Sequence, residues 1–246
     1  MIKIENFEVV GWEHAIRGMR NPMNSWDKSD SVFDYDPTSG CNLQCGLCSF
    51  FGKNDGDGML YCNGIGPNDL KLMTNLSNAG TDHRKFMRMI VVYLDITAPL
   101  YWWKEFDTYK IGTVANSCST MHKIHEKEFT WSDFSHEHLT DGAMYIMKLT
   151  IDELNCWRIR YLAWDDIDDE NKERNGWYDK KDLWWQMIQL LPSSYNQKRT
   201  VMLNYEVLAN IYHSRKNHKL DEWVALTKWI EGLPYSELIT GGAKND

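Results

Sequence analysis

The stretch LLPSSYNQKRTVMLNYEVLANIYHSRKNHKLDEW, residues 190–223, is punctuated by Pro192 and by a polar link near Asn217. It therefore reads as the end of one helix, DLWWQMIQLLP, then a helix over LNYEVLANIYHSRKNH, then the start of another, LDEWVALTKWIEGL. Asn204, Leu208, Ile211 and Arg215 recur at steps of four, three and four, which places them on one helical stripe. An amide and a guanidinium thus bracket an apolar strip. Their separation of 11 residues is about 16 Å along a helix axis, comparable to a nucleotide with part of a cofactor.

Outward from this segment, PNDLKLMTNLSNAG has Pro67 at a helix start, apolar Leu70, Met73 and Leu76 on one side, and Gly80 as a stop, so it predicts a helix. PLYWWKEFDTY predicts another beginning near Pro99, and FMRMIVVYLDI reads as a buried strand or an apolar helix. MIKIENFEVV reads as a short alternating strand, and VVGWEHAIRGMR as a turn followed by a short helix. Residues 30–66, rich in Gly, Asp, Asn and Cys, read as an irregular insertion in a single domain spanning 1–246. DDIDDENKERNGWYDKK, residues 165–181, is a solvated charge run with the character of a helix end and a loop.

Composition narrows the function classes. The chain has 246 residues, 43% of them hydrophobic and 25% charged, which fits a soluble globular protein, expected in the cytoplasm. No apolar run reaches the roughly 18 residues of a membrane helix, so no membrane partner is expected. A formal net charge of −8 argues against DNA or RNA, whose phosphates call for clustered Lys and Arg. A single nucleotide needs only a few local cations.

Two segments carry candidate chemistry. In EFDTYKIGTVANSCSTMHK, residues 105–123, the chain leaves an aromatic YWW cluster and turns small and hydroxylated, the composition of a surface that a polar ligand approaches closely. Cys118 within it reads as a small buried thiol. His122, His125, His136 and His138 have no ligand spacing and read as exposed histidines. CNLQCGLC places Cys41, Cys45 and Cys48 at C-x3-C-x2-C spacing, with Cys62 as a fourth thiolate. The spacing resembles the cluster motif of radical S-adenosylmethionine enzymes, but the helix-dominated chain downstream lacks the alternating βα units of that family. A zinc staple within the insertion, or free thiols, are the other readings.

The 190–223 segment resembles the C-terminal part of flavin-dependent thymidylate synthases, whose pattern of L-P, Tyr, Thr, Asn, Asn, Arg, His and an acidic residue is matched by Leu191, Pro192, Tyr195, Thr200, Asn204, Asn210, Arg215, His218 and Glu222. LPYSELI near the end resembles the closing helix of that family. TYKIGTVANSCSTM occupies the place of its signature R-H-R-x-x-S-x-N-x-x-S-x-R, with Asn116 and Ser119 on the N-x-x-S core. AGTDHRKFMRMIVV resembles its Gly-His-x-S-x-x-Glu-His segment and keeps His83. The departures fall on charge. Lys110 is the one cation where R-H-R stands, Met121 replaces the last signature arginine, and Arg88 and Met89 replace Glu and His.

The resemblance implies an α+β, helix-rich protomer with a central, mostly antiparallel sheet, assembled as a homotetramer with active sites at subunit interfaces. It implies FAD as cofactor, with Asn204, Asn210, His83 and Arg88 toward it, and reduced folate and NADPH as cosubstrates. It also implies a pyrimidine nucleotide such as dUMP as substrate, with Arg215, Ser119, Asn116 and Lys110 toward it. The implied reaction transfers a one-carbon unit to the pyrimidine without a side-chain nucleophile. The competing expectations are a nucleotide-binding protein on the same fold that lacks flavin chemistry, and a metal enzyme built on the cysteine cluster.

Overall fold

The structure, a computed structural model, describes residues 2–33 and 64–241. Cys41, Cys45, Cys48 and Cys62 lie outside the described residues, and no metal-ligating cluster occurs among the described ones. The strands are β1 (Lys3–Val10), β2 (Val91–Pro99), β3 (Thr113–Ser117) and β4 (Asn196–Asn204). They form an antiparallel sheet in the order β1-β2-β4-β3. The helices are α1 (Trp12–Arg20), α2 (Pro67–Asn78), α3 (Leu100–Phe106), α4 (Thr120–Lys123), α5 (Asp141–Leu162), α6 (Asp169–Arg174), α7 (Lys180–Leu190), α8 (Tyr205–Arg215), α9 (Asp221–Glu231) and α10 (Glu237–Thr240). The expected α+β, helix-rich class with an antiparallel sheet is what the chain adopts. No helix among the described residues is long and apolar enough to cross a membrane.

Contacts divide the chain into two compact units, each assembled from distant segments. The first comprises Met1–Asn6, Leu94–Lys110 and Ala115–Val201. Its core gathers Ile124, Phe129, Phe134, Ile151, Leu154 and Met187, where α5 packs on α7. In α3, Trp102, Trp103 and Phe106 are all buried, and Trp103 Nε1 donates to Gln197 O at 2.9 Å. The tryptophan run is therefore core. α5 is missing from the sequence reading, because its apolar residues surround the helix: Ile151 and Leu154 face in, while Tyr145, Ile146 and Ile159 are exposed. The charge run at 165–181 holds the short α6 and the start of α7.

The second unit comprises Phe7–Tyr93, Ile111–Val114 and Met202–Asp246. α1, α2, α8, α9 and α10 bury Trp12, Met73, Tyr205, Trp223 and Ile230. Gly11 precedes α1 with φ +94°, and a Cβ there would stand 2.1 Å from Met89 O, so only glycine fits. The ends of the 30–66 segment are anchored: Val32 and Gly64 pair as an antiparallel bridge, and the Asp30 carboxylate accepts from the backbone N–H groups of Asn68 and Asp69 in the first turn of α2. Beneath this lies a buried hub. Asp69 Oδ1 accepts from Arg20 Nε and Nη2 at 2.7 and 2.6 Å, and Oδ2 accepts from the Ser29 and Ser31 hydroxyls at 2.7 and 2.6 Å.

One boundary in the decisive segment differs from the reading. Leu203 and Asn204 end a strand rather than begin a helix, and α8 starts at Tyr205. In β4 only Val201 and Leu203 are fully buried on the alternating pattern, so NQKRTVMLN carries too little apolar signal to announce itself as a strand. FMRMIVVYLDI is neither one strand nor one helix: a 3-10 turn over Lys85–Met89 precedes β2.

Candidate functional site

The junction of β4 and α8 sets the second unit's candidate residues. Asn204 caps α8, its Oδ1 accepting from Val207 N at 3.0 Å, which satisfies one of the helix's orphan donors. Its Nδ2 faces Gly112, where a Cβ would come within 2.8 Å of it. Gly112 has φ +77°, so the small residue of the hydroxylated stretch is required by backbone conformation and by the Asn204 amide together. Tyr205 N donates to Ile90 O at 3.0 Å, fixing the start of α8 against the residue preceding β2.

Arg84, one residue after His83, is thereby brought to α8. Its Nε lies 2.9 Å from Glu206 Oε2, and its Nη2 donates to Glu206 Oε1 at 3.1 Å and to Asn210 Oδ1 at 3.4 Å. Glu206 is 7% exposed, so this fork neutralises a nearly buried carboxylate in the first turn of α8. The sequence reading passed over Arg84 and Glu206. A signal was available in Glu206 and Asn210, which stand four apart on one helix face. The candidates His83 and Arg88 are exposed on the same segment.

The stripe on α8 has a buried middle, with Leu208 and Ile211 in the core, and half-buried ends at Asn204 and Arg215. Arg215 Nη1 donates to His218 Nε2 at 2.9 Å, and the guanidinium lies 4.7 Å from the Trp223 ring centroid. These contacts hold the Arg215 plane in a fixed orientation while part of it reaches solvent.

Lys110, Asn116 and Ser119 belong to the first unit and are all exposed. Ser119 is the N-cap of α4, its Oγ accepting from His122 N at 3.3 Å. β4 holds the segment in place. Cys118 N donates to Lys198 O at 3.0 Å, and Gln197 Nε2 donates to Cys118 O at 3.2 Å and to Thr120 Oγ1 at 3.0 Å. Cys118 itself is exposed, which corrects the expectation of a buried thiol: β3 shows nearly all of its length to solvent. His122 and His138 are exposed as expected, whereas His125 and His136 are half-buried.

A polar ladder crosses the first unit's part of the sheet. Asp95 accepts from the Thr200 hydroxyl at 2.6 Å, from Asn6 Nδ2 at 3.0 Å and from Lys198 Nζ at 3.0 Å. These three donors, Thr200 foremost, lower the Asp95 carboxyl to about 2. Beside it Arg199 pairs with Asp107 at 2.7 Å and lies 4.2 Å over the Trp103 ring.

The sequence matches no protein-family model and no curated protein. Solved structures do match. Thymidylate synthase X from Helicobacter pylori, crystallised with FAD and dUMP, superposes with a TM-score of 0.60 at 14% identity over 98% of both chains. A second structure of that flavin-dependent enzyme with FAD and dUMP gives 0.58 at 16% identity over 97% of both. A UMP/dUMP methylase from Streptomyces cacaoi, bound with 5-Br dUMP, gives 0.50 at 10% identity over 94% of this chain and 89% of its own. Over nearly its whole length, this chain has the fold of the flavin-dependent thymidylate synthases.

Proposed function

We propose that the protein binds a pyrimidine nucleotide and transfers a one-carbon unit to the base of dUMP or a related nucleotide, using a reduced flavin. The observation that carries this reading is the shared fold across both full lengths with proteins crystallised with FAD and dUMP. The donor chemistry supports it. Asn204 and Asn210 spend their amide oxygens on Val207 N and Arg84, which leaves amide N–H groups as donors to the acceptor atoms of a flavin. The exposed His83 ring and the Arg88 guanidinium suit its diphosphate as donors. Bound FAD, once reduced, would supply hydride. The chain's own part is to bind and orient: Arg215 offers a guanidinium to the nucleotide, while Ser119, Asn116 and Lys110 offer a hydroxyl, an amide and a charge. The same reading brings reduced folate and NADPH as cosubstrates, and a homotetramer as the assembly.

A second reading, a nucleotide-binding protein that does not turn over flavin, is favoured by one observation. Arg84, whose guanidinium reaches Asn210, is committed to Glu206, and Lys110 is the single cation in the signature's leading triplet. The test is an absorption spectrum and mass analysis of the purified protein, followed by incubation with dUMP, reduced folate and NADPH. A flavin band and a nucleotide product heavier by one carbon unit sustain the first reading. Colourless protein whose melting temperature rises with dUMP, without product, moves the assignment to the second.

A further inference from the structure

In the first unit, residues of α4, α5 and α7 line an open hollow of about 380 Å³, within the usual range for small-molecule sites of roughly 300 to 1,000 Å³. Its wall carries His122, His125, Tyr161, Lys180, Lys181 and Trp184. Trp184 Nε1 donates to Met121 O at 2.9 Å and ties α7 to the α4 segment. Lys180 Nζ lies 4.8 Å from the Tyr161 ring centroid, and the tilted His125 ring lies 4.7 Å from it. The hollow is thus a built surface of aromatic planes carrying cationic groups.

Its charge runs against that of the whole chain, which is −8. Neither lysine ammonium has a carboxylate partner among the described residues, and neither histidine ring is held by a hydrogen bond there. His125 Nδ1 is in fact buried with no partner. The one carboxylate on the wall, Asp179, is spent on its own helix. Its Oδ1 accepts from Lys181 N at 3.2 Å, and its backbone N–H donates to Asp182 Oδ2 at 3.0 Å in a reciprocal capping box. In the same unit Lys123 pairs with Glu126, Lys127 with Asp133 and Lys148 with Asp152. Lys180 and Lys181 thus bring to the wall of the hollow two charges that an anion would pair, Lys180 beside an aromatic ring.

We propose that this hollow is a binding site for an aromatic anion, a planar ring bearing a phosphate or carboxylate, with the ring against Tyr161 and Trp184 and the anionic group against Lys180 and Lys181. The site stands on its own residues and does not depend on the proposed nucleotide chemistry.

Isothermal titration of the full chain with 1-naphthyl phosphate tests it, with 1-naphthoate, 1-naphthol and inorganic phosphate as separate probes. 1-Naphthyl phosphate is expected to bind at least about tenfold more tightly than 1-naphthol or inorganic phosphate, because both halves of the site are engaged. The ratio of naphthyl phosphate to naphthoate affinity identifies the preferred anionic group. The double variant Lys180→Gln/Lys181→Gln should weaken binding about tenfold, and each single variant by less; thermal melting checks that all three remain folded. Saturating dUMP should leave the naphthyl phosphate affinity unchanged. Absence of binding, equal binding of the neutral naphthol, an unchanged affinity in a folded double variant, or competition by dUMP would each overturn the assignment.

Discussion

Replacing Asp69 by Asn probes the most deeply buried charge in the described structure. Asp69 is fully buried and Arg20 is 5% exposed, and the two are joined by contacts of 2.7 and 2.6 Å. Burial pushes the Asp69 carboxyl up, but the hydroxyls of Ser31 and Ser29 and the Arg20 guanidinium outweigh it and hold it below its ordinary value of 3.8. The amide keeps the shape and removes the charge, so Arg20 is left ionised without a counter-charge. Breaking a buried pair in this way costs about 3 to 5 kcal/mol. At roughly 2 to 4 °C per kcal/mol for a chain of this size, the melting temperature should fall by roughly 6 to 20 °C, read by calorimetry or circular dichroism at pH 7. Because the native carboxyl is depressed, its contribution is fully present above the unfolded value and is lost as pH falls through the native one. The gap between wild type and variant should therefore narrow in acid. Adding Arg20→Met to Asp69→Asn should recover part of the loss, since no buried charge is then unpaired while the amide oxygen still accepts from the serine hydroxyls. A drop below about 2 °C for Asp69→Asn would refute the claim that the pair carries the region. So would a double variant no more stable than the single.

Other outcomes follow from the site. Arg84→Ala leaves Glu206 buried and unpaired and frees the Asn210 amide, so it should destabilise by about 2 to 4 kcal/mol and, under the first functional reading, lower flavin occupancy. Glu206→Gln in the Arg84→Ala background should restore part of the stability, measured by denaturant titration. Gly112→Ala places a methyl 2.8 Å from Asn204 Nδ2 at φ +77° and should cost about 1 to 3 kcal/mol; an unchanged midpoint would contradict the packing. Under the proposed function, Arg215→Ala should weaken dUMP binding by about 1.5 to 3 kcal/mol, and an unaltered calorimetric affinity would remove Arg215 from the proposed nucleotide site. Carbon-detected titration of Asp95 should give a midpoint near 2, and Thr200→Val should move it upward.

The sequence by itself determined those elements whose limits are written locally. α2 begins at Pro67, the start of α3 follows Pro99 and α7 ends before Pro192, because start and stop signals act within a few residues; β1 covers the expected stretch, although Asn6, Phe7 and Glu8 are all exposed and break the alternation. It also carried enough of the pattern in 190–223 to indicate the fold. Tertiary structure decided the rest. Residues 196–204 are a strand through pairing with β2 and β3, since two inward residues are too weak a period to specify one. α5 could not be read from a stripe, because its apolar residues point all round and only packing on α7 selects the inner face. Arg84 and Glu206 are separated by 122 residues, and Arg20 and Asp69 by 49, so neither ion pair leaves a mark in local sequence. Short-range order follows from backbone preference and hydrophobic spacing, whereas charge pairing and a ligand-sized hollow exist only where the folded chain excludes water and brings distant groups within a few ångströms.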